Sequence, residues 1–63
     1  MDYIFENHGT IWLVRSTSAD ALQHLQAHVA SEAQWLGDAL AVEPRYVVSL
    51  AAQLQDDGFE VTR

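Results

Sequence analysis

The chain has 63 residues and no cysteine, and its nine carboxylates face three arginines and no lysine, for a net charge of −6. One small domain is all this length supports, and neither a disulfide nor a thiolate metal site is available to staple it. A 49% hydrophobic content excludes a disordered acidic tail, and the anionic balance excludes direct binding to nucleic acid or anionic lipid, which both recruit basic patches.

The opening residues, MDYIFENHGT, lack the basic start and apolar run of a signal peptide. No apolar stretch reaches the ~20 residues of a membrane span. With no cysteine, a reducing cytosol is the expected setting. Tyr3-Ile4-Phe5-Glu6 is β-branched and aromatic, Asn7-His8-Gly9 is a turn signal, and Thr10-Ile11-Trp12-Leu13-Val14 resumes the β composition. A hairpin follows, with Gly9 taking the positive φ. The unbroken apolar run of the second arm marks a central strand or burial on both faces.

Thr17 followed three residues later by Asp20 reads as a capping box. Ala21, Leu22, Leu25 and Val29 then recur at helical spacing, predicting an amphipathic helix over about 18–30. Ala33 to Glu43 divides at Gly37-Asp38. Two short strands around a tight turn are the preferred reading, and a helix running through the break is the alternative. Pro44 suits a first helical position. Val47, Leu50, Ala51 and Leu54 form a stripe, and Gly58 suits the left-handed residue after the helix end. Phe59-Glu60-Val61-Thr62 alternates as a last strand. The expected order is ββαββαβ, an α+β fold with a mostly antiparallel sheet and two helices on one face.

Few residues carry chemistry. Asp20, His24, His28 and Glu32 stand four apart along one predicted helix and would share a stripe. An imidazole–carboxylate metal site is one reading. A solvated polar face is the other, and it is preferred because one helix stripe rarely closes a tetrahedral ligand set. His8 lies in a turn with no partner nearby in sequence. Ser16, Ser18, Ser31 and Ser49 lack the Gly-x-Ser-x-Gly frame of a nucleophile elbow, and no glycine loop suits phosphate. Neither an enzyme nor a cofactor is expected, since ligand clefts want ~300 Å³ or more of concave space.

The acids hold the remaining information. Asp20 and Glu43 precede or open helices, where the dipole favours them. Asp56 and Asp57 sit at a helix C-terminus, where it disfavours anions by ~0.3–1 kcal/mol. Glu60 follows them, while Glu32 and Asp38 mark a second acidic edge. Trp12 reads as core, and Trp35, near a turn, as a partly exposed apolar anchor. A rigid array of carboxylates imitates the phosphates that Arg- and Lys-lined channels bind. The expected contact set is therefore Glu32, Trp35, Asp38, Asp56, Asp57 and Glu60, on a monomer, with a dimer as the alternative.

Across its whole length, a short, acidic, cysteine-free α+β chain of this kind resembles the anti-CRISPR proteins of phages and mobile elements. Members directed against type I surveillance complexes are similar to it in size and acidity. The stretch Ala33–Tyr46 also looks like segments of short bacterial and prophage proteins. The resemblance implies steric or DNA-mimicking blockade of a Cas subunit. An antitoxin or small regulator neutralising a basic protein is the runner-up, and a phage assembly accessory is the third reading.

Overall fold

The computed structural model describes residues 1–29 and 33–63. The elements are β1 (Tyr3–Asn7), β2 (Trp12–Ser16), α1 (Ala19–His28), β3 (Trp35–Leu36), β4 (Ala39–Val42), α2 (Pro44–Asp56) and β5 (Val61–Thr62). This is the expected ββαββαβ order. The five strands form one sheet in the order β3-β4-β2-β1-β5. Three pairings are antiparallel and one, β1 with β5, is parallel.

The period of two along each strand decides what the sheet buries. Tyr3 and Phe5 on β1, Val14 on β2, and Leu40 and Val42 on β4 share the face that packs under Ala21 and Leu25 of α1 and Val47, Ala51 and Leu54 of α2. Leu50, expected in the buried stripe, is only partly covered. The other face alternates Ile4, Glu6, Leu13, Arg15 and Ala41, and among the described residues it carries no helix. β2 lies between β1 and β4, which explains its apolar run. Trp12 and Trp35 are both half-buried and packed against the core.

The turns follow from residue type. Gly9, Gly37 and Gly58 are the only described residues with positive φ, at 85°, 62° and 95°. Gly9 turns the first hairpin, helped by an Asn7 side chain that accepts its N–H at 2.8 Å. Gly37 turns β3 into β4, so the strand–turn–strand reading holds and the continuous helix does not.

Two local expectations are corrected. The α1 cap is Ser18, whose Oγ accepts the Ala21 N–H at 3.1 Å, rather than Thr17. The Thr17 hydroxyl instead donates to the Met1 carbonyl at 2.6 Å, tying the N-terminal segment to the start of the helix. The last strand is also shorter than the 59–62 expected, because Phe59 is held by the helix end. Its N–H donates to the Leu54 carbonyl (3.1 Å) and the Gly58 N–H to that of Gln55 (3.0 Å), the paired bonds of a Schellman motif.

Candidate functional site

That motif determines what meets at the end of α2. Pro44 opens the helix, with its fixed φ suiting the first turn. Asp57 closes it as C-cap, and Gly58 reverses the chain so that Phe59 turns back toward α1. The Phe59 ring lies 5.5 Å from Tyr3, edge to face, and 4.5 Å from the imidazole of His24. His24 and His28, one turn apart on α1, stack at 4.3 Å.

Both imidazoles face the same carboxylate oxygen. His24 Nε2 is 2.9 Å from Asp57 Oδ2, and His28 Nε2 is 3.3 Å from it. The other oxygen, Oδ1, accepts from Gln53 Nε2 at 3.1 Å. The hydrogen bond from His24 holds the Asp57 carboxyl below the ordinary carboxylate range, with Gln53 and the charge of His28 adding to it. Asp57 therefore stands at a helix C-terminus in spite of the dipole because partners from the other helix hold it there.

The four-residue stripe read on α1 is only partly assembled. His24 and His28 do share a face, but their carboxylate is Asp57, from the other helix. Asp20 is exposed and is not one of the residues converging there, and Glu32 lies outside the described residues. His8 meets Glu6 at the hairpin, Nε2 to Oε1 at 3.2 Å, far in sequence from the pair on α1.

Two further acids meet at the start of β5, beside the end of α2. The Asp2 side chain accepts the Glu60 N–H at 2.9 Å, and Glu60 Oε1 is 2.6 Å from the Met1 amine. Burial first, and then the negative charges of Asp2 and Asp57, raise the Tyr3 phenol above its ordinary value. Asp56 is exposed and makes no ion pair among the described residues. The contact set expected from sequence includes Asp56, Asp57 and Glu60 but not Asp2. Only the parallel pairing of β5 with β1 brings Asp2 beside them.

Asp38 does not join this group. It lies in the β3–β4 turn, at the opposite edge of the sheet from β5. Trp35 lies on that far edge too, opposite Leu40 on the helix-facing side. Asp38 and the α2–β5 acids therefore lie at opposite edges of the sheet, and Glu32, read with Asp38 as one edge, lies outside the described residues. Two of the three arginines are engaged away from the α2–β5 end, Arg15 with Glu6 at 2.9 Å and Arg45 with Glu43 at 3.0 Å.

Two concavities flank these features. One, about 640 Å³ and open, is lined by Gln55, Phe59, Glu60 and Thr62. The other, about 710 Å³, is an apolar groove lined by Val29, Leu40, Tyr46 and Leu50. No helix of the described residues is long and apolar enough to cross a membrane. The chain matches no family model, no curated protein and no solved structure.

Proposed function

We propose that this chain works by binding rather than by catalysis, as a small inhibitor that sets its acidic α2–β5 end against a basic, nucleic-acid-binding surface of a bacterial defence complex. Its most specific form is the anti-CRISPR mode, in which the chain blocks a Cas subunit of a type I complex by bulk or by standing in for DNA. The observation that supports the reading is the meeting of Asp2 and Glu60 beside the end of α2, where Asp56 is exposed, while Arg15 and Arg45 pair with Glu6 and Glu43 elsewhere and Asp57 faces the histidines of α1. The summed field of these carboxylates speeds the encounter with a basic partner. Asp38 and Trp35 belong to the other edge and drop out of this contact.

The test is to add the purified chain to a type I surveillance complex and measure target-DNA binding. Wild-type chain is expected to abolish DNA binding in a stoichiometric, salt-sensitive way. The double variant Asp56→Asn, Glu60→Gln is expected to weaken inhibition about tenfold or more, the effect of ~1.4 kcal/mol in binding, with its circular dichroism unchanged. Equal inhibition by the double variant removes this end as the contact. No inhibition of the complex, together with capture of a basic toxin, replaces the reading with an antitoxin.

A further inference from the structure

We infer that His24, His28 and Asp57 form a binding site for a first-row divalent metal ion, with zinc its best occupant, which pins α1 to the C-terminal end of α2. The inference stands apart from the proposed function and does not need it. Their ligand atoms all lie within 4.8 Å of one another. The two imidazoles already present the same nitrogen, Nε2, to one carboxylate oxygen at 2.9 and 3.3 Å. Two imidazoles and a carboxylate are a common protein ligand set for zinc, and they leave a fourth position for water or a partner's side chain.

Three features suit the set to an ion rather than to a passing salt bridge. The histidines stand one turn apart on a helix, so their Cα positions are fixed together. Gln53 holds the oxygen of Asp57 that the imidazoles do not use, which is the supporting contact that orients a ligating carboxylate. The Phe59 ring walls one side of His24 and limits its rotation. On binding, a neutral ring that donates to Asp57 through Nε2 carries its one proton on Nδ1 instead, and an imidazolium releases its Nε2 proton to water, so that in either case the Nε2 lone pair faces the metal. The metal then replaces the direct contacts between imidazole and carboxylate. In a domain with no cysteine, such a cross-link between two helices is the staple that small domains otherwise lack.

The test uses untagged, chelator-stripped protein at neutral pH, with zinc followed by calorimetry and by histidine ring resonances in NMR. One equivalent of zinc is expected to bind, to raise the melting temperature, and to shift the ring signals of His24 and His28 while leaving those of His8 in place. Cobalt is expected to give the visible band of a low-coordinate nitrogen–oxygen site. His28→Ala and Asp57→Asn are each expected to weaken binding roughly 100-fold or more, and Gln53→Ala about 10-fold, in line with the loss of orienting partners elsewhere. Asp20→Asn is expected to leave it unchanged. No stoichiometric binding overturns the inference. So does a shift shared equally by His8, or binding that survives Asp57→Asn and is lost in Asp20→Asn. The unmodified chain gives the NMR result, so the outcome stands even if a variant fails to fold.

Discussion

Tyr3 is the residue on which the interior depends most visibly. It is fully buried, packs edge to face on Phe59, and spends its one polar group on the Ala21 carbonyl, to which the hydroxyl donates at 2.6 Å. Buried hydroxyls need such a partner. Ionised, the phenolate has no proton to donate and lies near the negative charges of Asp2 and Asp57. The folded-state value is raised above 10.0, so the neutral form is the one that folding favours. Its contribution is complete below the unfolded value and is lost as pH rises through the folded one. Thermal unfolding between about pH 8 and pH 12 should therefore show a steep alkaline loss of stability. In Tyr3→Phe that loss should flatten, with a cost of about 1 kcal/mol at neutral pH from the missing hydrogen bond. An alkaline limb identical in both proteins would place the titration elsewhere.

At the scale of elements, the end of α2 does two jobs with three residues. Asp57 receives the histidines, Gly58 takes a φ of 95°, and Phe59 returns to the core. A Cβ at Gly58 would meet nothing within 4 Å, so Gly58→Ala costs only the left-handed conformation, about 1–2 kcal/mol. Urea unfolding should show that loss, and the His24–Phe59 contact should loosen with it, seen as a change in the His24 ring shift. Local chemistry made this turn legible. Glycines at the three reversals, Pro44 at the start of α2 and the Val47–Leu54 spacing each carry their meaning within a few residues. The Ser18 cap was harder to read, because three hydroxyl-bearing neighbours competed and the Thr17 hydroxyl was claimed by the Met1 carbonyl. The histidine–aspartate cluster was not legible at all. His24 and Asp57 are 33 residues apart, and only the return of the chain after α2 joins them. The same is true of the parallel β1–β5 pairing, and hence of Asp2. Periodicity within an element says which face is buried, but not which distant carboxylate meets that face.

For the molecule as a whole, charge and size work against each other. A net charge of −6 on a domain whose stability is of order 3–9 kcal/mol makes self-repulsion a real term in folding. The ion pairs that oppose it are few and mostly exposed, and such pairs contribute ~0–1 kcal/mol each. Raising NaCl from about 0.05 to about 0.5 M shortens the screening distance to a few ångströms. It should therefore raise the melting temperature of the free chain. Over the same range, salt should weaken docking to a basic partner, so the two measurements should move in opposite senses. A melting temperature that falls with salt would show that the native pairs outweigh the repulsion. The sheet also has a bearing on how this molecule is recognised. Its two outermost strands, β3 and β5, are two residues long each. So short a strand gives an incoming peptide few free amides, so neither β3 nor β5 is a good template for strand addition, and the longer open edge is that of β1 beyond Ile4. A partner that grips the β3 or β5 rim therefore reads side chains rather than extending the ladder there.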